Sequence, residues 1–222
     1  MPVYDFESDA VKSKIAEEFD SLGDKLGNDN EEVWAFIRAT IKMTRVSSGL
    51  EALDLLRRST RIREDLDKIL RFGEEHFSAR VTVREWLDEV AERPEYEFRG
   101  FVHNKELNAV TQYFYMTYSH QVHQRRDEIA AKIKRFHDSI RDKIPHSSYV
   151  IDFYVTRDNR VLIVELNPFV SLCPNKNNHL TSRQHIGAGA GLFTWREHRE
   201  LFMNGPYTFR IVEEVPADTV EL

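Results

Sequence analysis

Residues 149–168 read YVIDFYVTRDNRVLIVELNP, two apolar runs rich in Val, Ile, Phe and Tyr separated by Thr156-Arg157-Asp158-Asn159. β-branched and aromatic residues on both sides of a polar, turn-forming tetrapeptide predict a hairpin. Three oxygen-bearing side chains interrupt the apolar runs: Asp152, Glu165 and Asn167. Alternation along a strand puts Glu165 and Asn167 on one face, and hairpin pairing brings Asp152 opposite them. A lone carboxylate in such a run is costly to bury unless a cation or hydrogen-bond donors offset it. Hard oxygen donors suit Mg²⁺, completed by water and phosphate oxygens. The same pattern also fits an edge carboxylate paired with an arginine, with an asparagine holding the turn before Pro168. Both readings stand open on spacing alone.

Upstream, YEFRGFVH at 96–103 and LNAVTQYFY at 107–115 form a second extended pair, with Asn104-Lys105-Glu106 between them. Arg99 sits among aromatics and precedes Gly100. A guanidinium on a sheet offers a rigid fork for phosphate or carboxylate, or forms a salt bridge with Glu97, Glu165 or Asp152. Gln112 and Tyr113 add polar groups on the neighbouring strand. Residues 120–143 between the two hairpins predict one long helix, with Ile129, Ile133, Phe136 and Ile140 on one face. A short helix at 195–203 and a last strand in YTFRIVEEVP follow, and the sheet is expected to be antiparallel.

The first 93 residues have a different period. Val11, Ile15, Phe19, Leu22 and Leu26 recur every three to four positions, and a helix over 31–44 carries Val33, Phe36 and Ile37. Ser48 with Glu51 opens a third helix as a capping box, and Ile62, Leu66, Ile69 and Leu70 continue the helical block. Thr82 with Glu85 predicts a cap for a helix bearing Trp86, Leu87 and Val90, ended by Arg93-Pro94. The expected organisation is therefore α+β, with a mainly helical region at 1–93 and an antiparallel-sheet region at 94–222.

Composition narrows the function. The chain has 222 residues, 41% hydrophobic and 11% aromatic, enough for a real core. With 37 acidic against 31 basic residues and a net charge of −6, no footprint for wrapping nucleic acid is present. A single cysteine, Cys173, and no apolar run approaching about 18 residues point away from secretion and membranes and toward the cytoplasm. MPVYDFESDAVKSK at the N-terminus lacks the basic-then-apolar order of a signal peptide. Cys173 has no histidine base indicated, and no His-Cys cluster has zinc-ligand spacing. The glycines at 187, 189 and 191 follow no dinucleotide-type strand and lack a Gly-Lys-Ser/Thr step. Packing against Phe193 and Trp195 explains them better than a phosphate loop.

EYEFRGFVHNKELNAVTQYFY, then a long helix, YVIDFYV and VLIVELNPF, resembles the D123, or cell division cycle protein 123, family. SSGLEALDLLRRSTRIREDL upstream and GAGLFTW and YTFRIVEEVP downstream extend the resemblance over about residues 33–216. The resemblance implies an ATP-grasp-like fold, in which nucleotide lies between two lobes and Mg²⁺ bridges its phosphates. Asp152, Glu165 and Asn167 match that family's metal-binding positions, and Arg99 its phosphate-contacting arginine. The implied role is assembly of translation initiation factor 2 through its gamma subunit, using ATP binding without required turnover. Two alternatives are an ATP-grasp ligase joining a carboxylate to an amine and a nucleotide-independent protein-binding scaffold.

One departure accompanies the resemblance. The family carries a strand-rich nucleotide-binding portion, with a lysine and a KLxxRSPKD-like segment, ahead of its helical stretch. Here about 90 mostly helical residues stand before the sheet region, and Lys42, in a helical pattern, does not carry over as that lysine. The expectation is a missing lobe supplied by a longer parent chain or a partner, or a compact relative with weak ATP binding or none.

Overall fold

The computed structural model describes residues 9–71, 78, 81–169 and 189–215. The chain divides into two compact units, Met1–Glu92 and Arg93–Leu222. Among the described residues no helix is long and apolar enough to cross a membrane.

The first unit is helical: α1 (Asp9–Asp20), α2 (Asp29–Lys42), α3 (Gly49–Arg58), α4 (Thr60–Leu70) and α5 (Asp88–Glu92). Asn28 caps α2 by accepting from the Glu31 amide, and Ser48 caps α3 by accepting from the Glu51 amide. α1 packs on α2, and Glu18 pairs with both Arg38 and Lys42.

Three helical expectations are corrected. The predicted apolar stripe outruns α1: Leu22 is buried beyond its end and Leu26 is 61% exposed. The predicted continuous block breaks at Ser59, whose hydroxyl accepts from the Ile62 amide and starts α4 afresh. No helix opens at Thr82 and Glu85; residues 81–87 are irregular and α5 begins at Asp88. The branched run Val81-Thr82-Val83 disfavours the first turn, and the Trp86 indole instead donates to Asp88 at 2.8 Å.

The second unit is built on a five-stranded sheet, with strands β1 (Glu97–His103), β2 (Glu106–Gln112), β3 (Tyr149–Val155), β4 (Val161–Pro168) and β5 (Thr208–Arg210) in the order β4-β3-β1-β2-β5. Asn104 and Lys105 both take positive φ, 51° and 69°, which gives the β1–β2 hairpin a two-residue turn of the twist-matched kind. Four strands are antiparallel, but β5 runs parallel to β2, so the sheet is mixed rather than purely antiparallel. Helix α8 (Trp195–Asn204) precedes β5, and a crossover of this kind delivers a parallel strand where a tight hairpin cannot.

The predicted long helix is two, α6 (His120–Gln124) and α7 (Arg126–Ile140), broken where Arg125 leaves helical geometry at φ −106° and ψ 13°. Ile129, Ile133 and His137 of α7 are buried, and Phe136 meets Phe153 edge-on at 6.2 Å. On the opposite face Phe101, Ala109 and Val150 form a core with Phe169, Phe193 and Phe202, the last from α8. The sheet is thus covered by α7 on one face and by α8 on the other.

Gly100 has no room for a side chain on the face that α7 covers. A Cβ there would lie 2.8 Å from Phe153 and 2.9 Å from Leu107. Gly100→Ala is expected to lower stability by about 1–3 kcal/mol through overpacking, read from the urea midpoint.

His137 gives a second test. Its Nε2 lies 2.9 Å from the Tyr149 hydroxyl, and Nδ1 has no hydrogen-bond partner among the described residues. Burial pushes this imidazole down to about 4, against a smaller opposing effect from Asp138. Above about pH 6.5 it is neutral whether the chain is folded or not, and stability is undiminished. Between there and pH 4 the unfolded chain takes up a proton that the folded chain excludes, so stability falls by about 3 kcal/mol. His137→Gln should flatten that part of the pH–stability curve.

Candidate functional site

The strand register gathers the chemistry into one row across the sheet. Glu165 of β4 pairs with Asp152 of β3, Asp152 with Arg99 of β1, Arg99 with Thr111 of β2, and Thr111 with Arg210 of β5. Directly paired residues project from the same face, which here is the face covered by α8. Asn167 pairs with Val150, two residues along β4 from Glu165 and therefore on that same face. Sequence alternation thus placed Asp152, Glu165 and Asn167 together, and the structure adds Arg99 beside them. A bulge between Asp152 and Phe153 sets Phe153 against Ile163, leaving Val164 as the extra residue before Glu165.

Arg99 and Asp152 are locked together. Nε of Arg99 donates to Oδ1 and Nη2 to Oδ2 of Asp152, each at 2.8 Å. The Asp152 side chain is 1% exposed and that of Arg99 13%. The guanidinium also lies over the Tyr113 ring at 4.6 Å. Burial is the largest single influence and would lower the Arg99 pKa, but the hydrogen bonds to Asp152 and the charges of Asp152, Tyr113 and Glu165 together exceed it, and the guanidinium is held more firmly charged than usual. Burial and then the charge of Glu97 raise Tyr113, which keeps its phenol neutral.

This arrangement leaves acceptor positions on Asp152 beyond those that Arg99 fills. Each carboxylate oxygen of Asp152 accepts one bond from Arg99, while an ionised carboxylate offers about four acceptor positions. Glu165, opposite Asp152, is exposed, and Asn167 is half-buried. Two carboxylates and one amide make a partial set of hard oxygens, which suits an ion that keeps water or phosphate oxygens as its remaining ligands. Among the described residues no cluster of three or more His, Cys, Asp or Glu occurs, so a site here depends on the Asn167 amide as third donor. Arg99 spends two of about five N–H donors on Asp152, and the remainder can serve an anion.

Gln112, a suggested polar contact, stands on the other face: it pairs with Phe98, not with Arg99. Its amide donates to the Phe114 and Thr117 carbonyls and its oxygen accepts from the Val212 amide, so it braces the loop bearing Tyr113. The sequence reading missed Thr111 and Arg210. Thr111 Oγ1 accepts from the Leu192 amide at 3.1 Å, and Gly191 crosses Thr111 with φ 59°, where a Cβ would lie 2.5 Å from the threonine methyl. The glycines therefore bring backbone against the sheet; Gly187 and Cys173 lie outside the described residues. Arg210 donates to the Leu192 carbonyl at 3.2 Å and lies over the Phe193 ring at 4.4 Å. Its signal was legible: a lone arginine in the last apolar strand.

Comparisons with known proteins identify the family and the fold. A family model described as D123 matches residues 9–217. Cell division cycle protein 123 of Yarrowia lipolytica is 27% identical over 160 residues, covering 70% of this chain and 42% of that protein. A translation initiation factor eIF2 assembly protein of Xenopus laevis is 21% identical over 205 residues, covering 87% of this chain and 54% of its own length. The chain thus spans about half the length of these relatives. The solved structure of Cdc123 from Schizosaccharomyces pombe superposes with a TM-score of 0.51 at 24% identity, over 75% of this chain and 62% of that one. The likeness is one of fold: α+β, with N-terminal helices and a C-terminal mixed sheet.

The buried ion pair makes a sharp stability prediction. Asp152→Ala strands the Arg99 guanidinium in a nearly water-free position and is expected to cost about 3–5 kcal/mol. A double-mutant cycle with Arg99→Met should recover most of that loss in the urea midpoint, because the doubly substituted chain buries no unpaired charge.

Proposed function

The chain belongs to the D123 family, and from that premise we propose that it supplies the metal- and phosphate-holding half of an ATP-binding protein-assembly factor. The observation that carries this reading is the row Glu165–Asp152–Arg99, which sets two acidic ligands and a guanidinium side by side on one sheet face. Asp152, Glu165 and Asn167 would hold Mg²⁺, and Arg99 would contact phosphate. Bound Mg²⁺ supplies charge neutralisation for the polyphosphate. Every other contribution belongs to the chain: Asp152 orients Arg99 through its two hydrogen bonds, Tyr113 supports the guanidinium face, and the β3–β4 pairing fixes the spacing of the oxygens.

Several relatives carry the name eIF2 assembly protein, which supports a protein partner from translation initiation. We infer that this partner is translation initiation factor 2, engaged through its gamma subunit, and that the protein acts in the cytoplasm. Because the chain spans about half of its relatives, we further propose that a second lobe, in a longer parent chain or a partner, completes the nucleotide clamp. Helical residues 1–93 and sheet residues 94–222 serve in this proposal as separate parts, the second carrying the site.

Calorimetric titration with ATP, with and without Mg²⁺, tests the reading. Glu165→Gln is exposed and leaves Arg99–Asp152 intact, so it isolates the metal contribution. It should weaken Mg²⁺-dependent ATP affinity about tenfold or more and leave metal-free affinity unchanged. Arg99→Lys should weaken both, since an ammonium cannot reproduce the fork. Equal affinities for all three proteins would overturn the assignment. Product formation that requires both a carboxylate and an amine would instead identify a ligase.

A further inference from the structure

Beyond the nucleotide reading, and sharing only Asn167 with it, the second unit contains a cavity of about 700 Å³ lined by His103, His146, Asn167, Phe169, Trp195 and Arg199 among others. That size is in the range of small-molecule sites. Asn167 lies two residues along β4 from Glu165, which is about 7 Å of strand, so the cavity starts where the proposed metal ligands end.

Two features of the lining define a ligand. Flat rings form one wall: Phe169 meets Trp195 edge-on at 6.2 Å, and the His103 ring lies 5.7 Å from Phe169. The charge is one-sided. In a chain of net charge −6, none of the described lining residues is acidic, whereas Arg199 is a fixed cation.

The details sharpen the choice. The Arg199 guanidinium lies 5.7 Å from the Trp195 ring centre, so a planar fork and a planar ring are presented together. Nδ1 of His103 is 2.8 Å from the Met203 carbonyl. A carbonyl only accepts, so Nδ1 carries the proton and Nε2 is left as an acceptor at the cavity wall. Guanidinium forks match the plane of a carboxylate.

We propose that this cavity is a second ligand site that takes a flat, aromatic carboxylate, with Arg199 receiving the carboxylate and Trp195 and Phe169 the ring. Benzoate and benzamide test it, because they share shape and differ in charge. Ligand-observed NMR titrations of the full chain should show saturable benzoate binding and benzamide binding at least tenfold weaker. Arg199→Gln, at an exposed position that a fold should tolerate, should weaken benzoate fivefold or more and leave benzamide unchanged. Trp195→Leu should weaken both. Equal affinity for the two probes, binding of neither, or an unaffected Arg199→Gln protein overturns the proposal. Mg²⁺-ATP titration of wild type and Arg199→Gln separates the two readings. Lost ATP binding with benzoate selectivity retained removes the nucleotide site alone, and retained ATP binding with no benzoate selectivity removes this one alone.

Discussion

Arg99 and Asp152 neutralise each other inside a sheet, and much of the second unit is arranged so that they can. A guanidinium and a carboxylate at 13% and 1% exposure are tolerable only as a closely hydrogen-bonded pair. Their two parallel bonds require β1 and β3 to be neighbours in one register, with both side chains on one face. Gly100, next to Arg99, keeps the opposite face narrow enough for Phe153 and Leu107 to close beneath it. Tyr113 covers the guanidinium from the end of β2.

From that pair the polar row spreads in both directions. Toward β4 it meets Glu165, which water reaches, and so the acidic character of the site increases outward. Toward β5 it meets Thr111 and Arg210, where the backbone at Gly191 and Leu192 lies against the sheet and fixes both side chains. The apolar core of Phe101, Ala109, Val150, Phe193 and Phe202 occupies the adjoining part of the same face. One face thus holds an apolar part that stabilises the unit and a polar row, two residues of strand apart.

The reading of the β-rich half succeeded where period and turn chemistry agreed. Alternation about Asp152, Glu165 and Asn167 survived folding because the bulge at Val164 falls before Glu165 and not between Glu165 and Asn167. The hairpin connection at Asn104-Lys105-Glu106 was legible because its position left few ways to join two runs, although Glu106 belongs to β2 and the turn itself is Asn104-Lys105. The helical half was less legible. Apolar spacing cannot reveal that Ser59 both ends α3 and caps α4, or that Trp86 bonds to Asp88 in place of starting a helix. Such local competition turns on individual hydrogen bonds, which periodicity does not register.

Sequence alone determined the class of elements, the residues that carry charge within apolar strands, and the family resemblance, because each depends on residue type and short-range spacing. Tertiary structure decided the rest. The order β4-β3-β1-β2-β5 brings Arg99 to Asp152, 53 positions further along the chain, and Arg210 to Thr111 from near the far end of the chain. It also made β5 parallel, because α8 carries the chain over the sheet before its last strand forms. Long-range pairing is chosen by what the strands bury together, and no window of sequence contains both partners.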